Sequence, residues 1–360
     1  MEGGKNNYWS NFVNDLSPYK PGEQPSDENI IKLNTNESPF GPSPHVLHAV
    51  NAALNDDLRL YPSPNGDPLK KEISEYYGLS ERKVFLGNGS DEVLAHAFNC
   101  FFRKDRPILF PEITYSFYSV FCRLYGIENK KIPLTNDLKI NLKKYAIPNG
   151  GIIFANPNAP TGTLLSLDKI RSLLEFNTES VVIIDEAYID FGGVSAIPLL
   201  EDYPNILIVH TLSKSRSLAG LRIGYALGSD ALINGLYRVK NSFNSYPTSR
   251  LQIAAAIASF KDEEHFQSSC KKIINGRDGL SKGLQALGFA VIPSFGNFLL
   301  VAHTEHGAVT ILKRLRQYGI LVRHFDQKPI SNHLRISVGS DAQNKVLLEA
   351  LKEICGIHAI

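Results

Sequence analysis

Three short apolar runs in the sequence each break off, within a few residues, at a side chain that could do chemistry. The runs and the polar residues after them are 151–155 with Asn158, 181–184 with Asp185, and 206–209 with Lys214. Continuous apolar runs of this length are typical of strands covered on both faces, as in parallel sheets. Ligands of open α/β sheets bind beyond the carboxyl ends of such strands, so we expect the amide, the carboxylate and the amine to share one site.

Two nearby segments carry groups that bind phosphate. In the first, Gly89 and Ser90 open an amphipathic helix after a short strand, and free amides at a helix N-terminus bind anions. This segment lacks the third glycine of the dinucleotide fingerprint, and the sequence contains no P-loop motif, which disfavours nicotinamide and nucleoside triphosphate ligands. In the second, Thr211, Ser213 and Arg222 place two hydroxyl groups and a guanidinium around the lysine.

A lysine amine, a carboxylate and a phosphate-binding cluster are together what pyridoxal 5′-phosphate requires. The amine can form a Schiff base with the aldehyde of this cofactor, and a carboxylate can keep its ring nitrogen protonated. An ion pair separated by about 4 Å gains roughly 4 kcal/mol at an effective dielectric constant near 20, which shifts a proton equilibrium by about three decades. We therefore predict Lys214 as the Schiff-base lysine and Asp185 as the partner of the ring nitrogen.

The elements that must position these groups alternate along the chain. Between about 84 and 228, apolar runs at 84–86 and 107–110 alternate with helical patterns at 90–102 and 117–125 before the three runs described above. This alternation predicts a doubly wound, mostly parallel α/β sheet. After about 240 the pattern changes to long helices over 248–287 and then to short strands at 298–301 and 334–338, which predicts a smaller α/β domain.

The segment before the sheet predicts an arm and a first helix. Residues 1–30 are polar and rich in proline, so we expect an extended N-terminal arm that packs with the small domain. Ser43 and Pro44 suit the cap and first turn of a helix, whose apolar positions would be Val46, Leu47, Val50 and Leu54. The predicted domains are then 31–240, which binds the cofactor, and 241–360.

Composition excludes several classes of function. The 360-residue chain has 43% hydrophobic and 21% charged residues and a net charge of +2, and its short basic clusters are dispersed, which disfavours nucleic-acid binding. No apolar stretch reaches the roughly 18 residues of a membrane span, and the start lacks a secretory pattern, so we expect a cytoplasmic protein. The four cysteines are far apart, which predicts neither a metal site nor a disulfide framework.

Several motifs resemble the class II, fold-type I pyridoxal-phosphate-dependent aminotransferases. These motifs occupy 156–162, 185–191, 211–214 and 218–224. Four more, at 16–19, 33–39, 61–62 and 334–339, resemble the branch of this family that acts on histidinol phosphate. The resemblance runs from about Leu16 to the C-terminus. It implies a fold-type I enzyme of histidine biosynthesis that moves an amino group from glutamate to imidazole acetol phosphate, giving L-histidinol phosphate and 2-oxoglutarate in two ping-pong half-reactions.

The resemblance also implies roles for residues around the cofactor ring. Lys214 would carry the Schiff base and shuttle the proton, and Asp185 would pair with the ring nitrogen. Asn158 and Tyr188 would hydrogen-bond the 3′ oxygen of the cofactor, and Tyr115 would stack on its ring. One departure from the family is Ala159, which stands where a second asparagine is common.

At the two ends of the predicted site, the resemblance implies anion binding. The cofactor phosphate would be held by the amides of Gly89 and Ser90 and by Ser213 and Arg222, with Thr211 close by and Tyr61 reaching in from the neighbouring subunit of a homodimer. The substrate would be held by Arg335, with Tyr19 and Arg323 on its phosphate. Residues 243–247 would line the pocket from the partner subunit, and their variability within the family leaves the substrate open.

Three alternatives remain open on the sequence. A broad aromatic aminotransferase fits the same framework if the phosphate pocket is incomplete. A decarboxylase of O-phosphothreonine is close in sequence and also binds a phosphorylated substrate. A PLP-binding regulatory module without turnover is a different class, which the full set of catalytic residues disfavours.

Overall fold

The computed structural model describes residues 8–356, with thirteen strands in three sheets. The strands are β1 (Ile31–Lys32), β2 (Val84–Gly87), β3 (Ile108–Pro111), β4 (Asn129–Ile132), β5 (Ile152–Ala155), β6 (Val182–Asp185), β7 (Ile206–Thr211), β8 (Gly224–Gly228), β9 (Phe289–Ile292), β10 (Phe298–His303), β11 (Ile320–Leu321), β12 (Arg323–His324) and β13 (Leu334–Ser337). The largest sheet has seven strands in the order β2-β8-β7-β6-β5-β3-β4. All of its pairings are parallel except those of β8 with β2 and β7, which confirms the predicted fold class.

Helices cover both faces of this sheet, and every strand except the edge strand β4 is buried along its whole length. The α-helices are α1 (Asn11–Asn14), α2 (Pro44–Ala52), α3 (Asp67–Tyr77), α4 (Ser90–Phe101), α5 (Phe117–Tyr125), α6 (Leu167–Phe176), α7 (Asp230–Asn241), α8 (Arg250–Lys261), α9 (Glu263–Ala286), α10 (Ala308–Gln317) and α11 (Asp341–Ile354). Ile152 and Ile184 pack on one face with residues of α3, α6 and α8. Ile153 and Ile183 pack on the other with residues of α4, α5 and α7, as alternation along a strand requires.

The three apolar runs that end in polar groups lie side by side. β5, β6 and β7 are parallel neighbours, with Ile152 opposite Val182 and Val182 opposite Ile206. Asp185 is the last residue of β6 and pairs in register with Val209 of β7. The prediction that these strands end at one edge of the sheet is confirmed.

The first helix is confirmed in position but not in its apolar face. Ser43 accepts a hydrogen bond from the Val46 N–H and Pro44 begins α2. Val46 is buried, whereas Leu47 is 58% exposed and Leu54 is 56% exposed. Val50, one turn after Val46, packs against the core, whereas Leu47 lies about 100° further around the helix, on its solvent side. Leu54 lies beyond the C-terminus of α2.

The C-terminal part builds a second core. β12, β13, β10 and β9 form an antiparallel sheet, covered by residues of α9, α10 and α11. Two features cross the predicted domain boundaries: β1 pairs in parallel with β11, and residues of α8 pack in the core of the large sheet. The boundaries at 30 and 240 stay a prediction.

The N-terminal arm contacts both parts of the chain. After the single turn of α1, Arg123 of α5 donates a hydrogen bond to the carbonyl of Ser17 over 3.4 Å. Further along, Glu23 forms an ion pair with Arg316 of α10 at 2.7 Å. Residues 1–7 of the predicted arm, which include the start predicted to lack a secretory pattern, lie outside the described residues. No helix within 8–356 is long and apolar enough to cross a membrane.

Candidate active site

Two adjoining cavities, of about 420 and 110 Å³, open beyond the polar edge of the large sheet. Their walls share six residues: Asp91, Tyr115, Ala159, Tyr188, Lys214 and Arg222. The smaller cavity is also lined by Asp185 and by the residues predicted to bind phosphate, Ser90, Thr211 and Ser213. The larger cavity is also lined by Tyr19 of the arm and by Arg323 and Arg335 of the C-terminal sheet. The two are therefore compartments of one site, which brings together every predicted site residue except Asn158, Gly89 and Tyr61.

Asp185 forms the acidic end of the site. It is 5% exposed, and its Oδ2 accepts a hydrogen bond from the Tyr118 hydroxyl at 2.8 Å while its Oδ1 accepts one from the Ala187 N–H at 3.2 Å. Burial raises the pKa of Asp185 to about 6, against the opposing effect of these two donors. A cation placed beside this carboxylate would restore its ordinary pKa, so the end of the site is suited to a protonated ring nitrogen.

Lys214 lies in a loop fixed by its serines. Ser215 donates a hydrogen bond to Asp190, and Ser217, with φ of +59°, donates one to Ser38 over 2.9 Å. The Lys214 ammonium donates to the carbonyl of Thr35 at 3.1 Å. Among residues 8–356, this backbone carbonyl is the one hydrogen-bond acceptor of the amine, so the amine can be released from it by exchanging a single bond.

Tyr188 is held by the segment after β1. Its hydroxyl oxygen accepts a hydrogen bond from the side chain of Asn36 at 3.1 Å, and the Lys214 Nζ lies 5.8 Å from the centre of its ring. Asn36 is itself fixed in a left-handed conformation, with φ of +56°, by Ser337 of β13. The phenolic proton of Tyr188 remains available to an acceptor in the cavity, as the predicted bond to the 3′ oxygen requires.

Asn158 does not reach the cavity in this structure. It is fully buried, its amide donates to the carbonyl of Ile113 and to Thr161, both at 2.9 Å, and its oxygen accepts from Thr114 at 2.8 Å. The neighbouring Ala159 lines both cavities instead. The predicted bond from Asn158 to the cofactor would need one of these hydrogen bonds to be exchanged, and it stays a prediction.

The residues predicted to bind the cofactor phosphate lie around Arg222. This residue has a left-handed backbone, with φ of +52°, and its guanidinium donates to Asp91 at 3.0 Å and to Ser213 at 3.4 Å. Thr211 donates to Ser213 at 3.0 Å. A Cβ at Gly89 would come within 2.6 Å of the guanidinium, so this position needs glycine.

Tyr115 and Tyr19 form an aromatic wall. The Tyr115 hydroxyl donates to Asp91 at 2.8 Å, which fixes its ring at the cavity surface. Tyr19 of the arm packs on Phe117 with ring centres 4.8 Å apart and on the edge of Tyr115 at 6.4 Å. The arm therefore covers one side of the site.

The two predicted substrate arginines face each other across neighbouring strands. Arg323 of β12 pairs in antiparallel register with Arg335 of β13. Arg335 donates from Nη2 to the carbonyl of Asn34 at 2.8 Å, but its buried Nε has no partner within residues 8–356. Arg323 reaches the carbonyls of Lys20 and Pro21 at 3.3 and 3.5 Å. Burial lowers the pKa of Arg335, and the charge of Arg323 acts in the same direction.

Tyr61 lies away from the cavities of its own chain. It is 78% exposed and stacks on Tyr246 with ring centres 4.6 Å apart. Arg250 donates a hydrogen bond to the carbonyl of Tyr61 at 3.1 Å. The buried ammonium of Lys240 donates to the carbonyls of both Pro64 and Ser245, which links the loop that carries Tyr61 to the segment that carries Tyr246. A role of Tyr61 in catalysis would require a second copy of the chain.

Five site residues were not assigned a role from the sequence: Thr35, Asn36, Asp91, Thr114 and Tyr118. Asp91 and Thr114 adjoin assigned residues, so their positions in the chain could have suggested them. Asn36 and Tyr118 make contacts across 152 and 67 residues of sequence. No local pattern indicates such contacts.

The described residues also contain one group that could be considered for a metal ion: His303, His306 and Cys355. Nδ1 of His303 accepts two backbone N–H groups, and its Nε2 lies 3.0 Å from the carbonyl of Leu287. Both nitrogens of this ring are therefore engaged, which leaves two free ligands.

Four features of the site fit pyridoxal phosphate. A buried carboxylate lies at one end, hydroxyl and guanidinium donors lie at the other, and a lysine amine and a free phenolic proton lie between them. This distribution matches a cationic ring nitrogen, an anionic phosphate, an aldehyde and an acceptor oxygen.

Comparison with known proteins gives one consistent result. The family model for aminotransferase class I and II matches residues 28–351. The chain is 56% identical to histidinol-phosphate aminotransferase 1 of Pseudomonas aeruginosa, covering 96% of this chain and 98% of that protein. It is 57% identical to histidinol-phosphate aminotransferase 1 of Hydrogenovibrio crunogenus over the same shares. The solved structure of histidinol-phosphate aminotransferase from Sinorhizobium meliloti with pyridoxal-5′-phosphate superposes with a TM-score of 0.89 at 26% identity, covering 98% of each chain.

Proposed function

The chain belongs to the class I and II aminotransferase family, and from this premise we propose that it is a pyridoxal-phosphate-dependent histidinol-phosphate aminotransferase. It transfers the amino group of glutamate to imidazole acetol phosphate in histidine biosynthesis, forming L-histidinol phosphate and 2-oxoglutarate. The relatives named histidinol-phosphate aminotransferase, which match the chain over nearly its full length, support this substrate.

The observation that carries the choice of substrate is the pair of facing arginines. Like charges directly opposite on neighbouring strands repel each other, and the buried Nε of Arg335 has no partner among the residues that the structure describes. A phosphate dianion between Arg323 and Arg335 would remove the repulsion and supply the missing acceptor. Both arginines line the same cavity as Lys214, so a phosphorylated substrate held there would present its amino-bearing carbon to the lysine.

Catalysis depends on residues that hold charge and move one proton. When bound, pyridoxal phosphate supplies an aldehyde that takes up the amino group and a ring that accepts the electrons of the adjacent carbon. Lys214 takes the proton from that substrate carbon and returns it on the cofactor side, as general base and then general acid. Asp185 keeps the ring nitrogen protonated, and Tyr188 donates its phenolic proton to the 3′ oxygen.

The phosphate end fixes the cofactor while the proton moves. Arg222 and Ser213, which are in contact with each other, would hold the phosphate together with Thr211 and the amides of Gly89 and Ser90 at the start of α4. Tyr115 covers one face of the ring from its fixed position beside Asp91. Tyr19 closes the substrate side.

We further propose a cytoplasmic homodimer in which Tyr61 reaches the cofactor phosphate of the partner subunit. The exposure of Tyr61, and its support by Tyr246 and Arg250, favour a projecting contact of this kind. The four cysteines are free, which suits a reducing compartment. Analytical ultracentrifugation tests whether the protein is a dimer. Tyr61→Phe should weaken cofactor binding without dissociating the dimer.

A single half-reaction tests the function. The purified enzyme with pyridoxal phosphate is mixed with L-histidinol phosphate, and its visible spectrum should convert to that of the pyridoxamine form. Phenylalanine and O-phosphothreonine are run in parallel, with carbon dioxide release monitored. Conversion by phenylalanine alone would indicate an aromatic aminotransferase, release of carbon dioxide a decarboxylase, and no change with any substrate a regulatory module.

A further inference from the structure

Tyr118 of α5 makes a contact in the site without touching its cavities. Its hydroxyl donates a hydrogen bond to Oδ2 of Asp185 at 2.8 Å. Tyr118 is fully buried and lines neither cavity, whereas Asp185 lines the smaller one. Among residues 8–356, Tyr118 is the one side chain that donates a hydrogen bond to this carboxylate, and the other donor is the backbone N–H of Ala187.

Packing fixes the direction of this hydroxyl. The ring of Tyr118 lies between Phe98 and Phe110, each with ring centres 6.1 Å away, and meets Tyr115 edge-on at 5.6 Å. A ring held on three sides cannot turn its hydroxyl elsewhere without disturbing the core. Tyr118 of α5 therefore orients the Asp185 carboxylate from the side that faces away from the cavity.

The hydrogen bond also favours one protonation state. Burial disfavours the charged form of Asp185, and a donor to the carboxylate opposes that effect. The phenol stays protonated because burial, and then the charge of Asp185, raise the pKa of Tyr118 well above its ordinary value. Whenever this carboxylate is ionised, Tyr118 therefore acts as its donor.

We propose that Tyr118 is a positioning residue, which keeps Asp185 ionised and aimed at the ring nitrogen of the cofactor. This inference rests on the proposed function, because it takes Asp185 as the partner of that nitrogen. It gives α5 a role in positioning Asp185, which the residues at the strand ends and the residues that bind phosphate do not have.

The test compares two buried tyrosines in the full-length protein. Tyr118→Phe removes the donor, and Tyr145→Phe is its matched control, because the Tyr145 hydroxyl is buried and has no hydrogen-bond partner within the described part of the chain. In the cofactor-free protein, the infrared carboxyl band of Asp185, identified with Asp185→Asn, should titrate roughly one pH unit higher in Tyr118→Phe. With cofactor, the Kd for pyridoxal phosphate should rise and kcat should fall, each roughly tenfold, while KM for histidinol phosphate stays unchanged.

Tyr118→Met separates positioning from packing. It lacks the hydroxyl and the ring, so it should show the same titration shift as Tyr118→Phe together with a larger loss of thermal stability. The proposal would be overturned if Asp185 titrated in Tyr118→Phe as it does in wild type and the variant bound the cofactor equally well. It would also be overturned if Tyr145→Phe shifted the titration of Asp185 as much as Tyr118→Phe does. Failure of the proposed function is distinguishable, because the titration of Asp185 is measured without substrate and would still move if histidinol phosphate were not turned over.

Discussion

The two ends of the site differ in how far the protein satisfies its own charges. At the cofactor end, both oxygens of Asp185 accept hydrogen bonds from the protein itself, from Tyr118 and Ala187. At the substrate end, Arg323 and Arg335 face each other with like charge, and one buried N–H group of Arg335 has no partner in the described chain. The first end is preorganised, whereas the second is completed only by an anion.

The difference follows from the elements that build each end. Asp185 lies at the end of a central strand of a seven-stranded sheet and is covered by α5. The arginines lie on β12, a two-residue edge strand, and on its neighbour β13, and they borrow carbonyl groups from the N-terminal arm and from Asn34. A rigid core can hold a charge in advance, whereas an edge strand beside an arm can adjust to its ligand.

Removing the amine that lies between the two ends should have the largest effect. Lys214→Ala should lower kcat for transamination by roughly 10⁴-fold or more, because both covalent attachment and proton transfer depend on this amine. Lys214→Arg keeps the positive charge and should be equally inactive. Steady-state assays, with the visible absorption of the bound cofactor, measure the effect. Activity of Lys214→Ala near the wild-type value would contradict the role of Lys214.

At the substrate end, Arg335→Gln should raise KM for histidinol phosphate by roughly 10²- to 10³-fold, because a buried charged contact to the phosphate is lost. The Kd for pyridoxal phosphate should stay within about twofold, if the ends are as independent as their separate hydrogen bonds suggest. Arg314→Gln is a matched control in the same part of the chain, since Arg314 donates to the carbonyl of Ile354. A parallel loss of cofactor affinity in Arg335→Gln would show that the two ends are coupled.

The cofactor end should carry a pH dependence of stability. Burial raises the pKa of Asp185 to about 6 from its ordinary value of 3.8, so the folded, cofactor-free protein binds more protons than the unfolded chain between these values. Its stability should therefore fall as pH rises through this window, by about 3 kcal/mol from this group alone.

Urea unfolding of the cofactor-free protein at pH 4 to 7 tests this expectation. The difference in unfolding free energy between Asp185→Asn and wild type should shift in favour of the variant as pH rises, and Asp105→Asn, at an exposed position, should show no such shift. Saturation with pyridoxal phosphate should reduce the slope, because the ring nitrogen stabilises the ionised carboxylate. A pH-independent difference would mean that Asp185 is already ionised at its ordinary pKa.

The sequence predicted the preorganised end better than the adjustable one. Strand ends are fixed by apolar runs, so the neighbourhood of Asp185 and Lys214 followed from the pattern of β5, β6 and β7. The partners of these groups did not follow. The contact of Tyr118 with Asp185 depends on the register of α5 against the sheet, which no local pattern encodes.

Loop orientation was the other limit. Residues 156–162 were recognised as a motif, but a motif does not state which side chain enters the cavity. In the structure Ala159 lines it and Asn158 is saturated by Ile113, Thr114 and Thr161. The facing of Arg323 and Arg335 was likewise hidden, because the pairing of β12 with β13 joins strands separated by an irregular segment.

The smallest predicted effect tests the substrate end most directly, because the effect of the substitution changes sign when the anion binds. Arg323→Gln removes one of the two facing charges, so the cofactor-free and substrate-free protein should gain roughly 0.2 to 1 kcal/mol of stability. The same change should raise KM for histidinol phosphate by about tenfold, since a partly exposed contact to the phosphate is lost. Urea unfolding with and without inorganic phosphate measures the stability difference between variant and wild type in both states. Phosphate should stabilise wild type more than the variant. A variant less stable than wild type in the absence of any anion would show that the carbonyl groups of Lys20 and Pro21 already satisfy Arg323, and that the substrate end is as preorganised as the cofactor end.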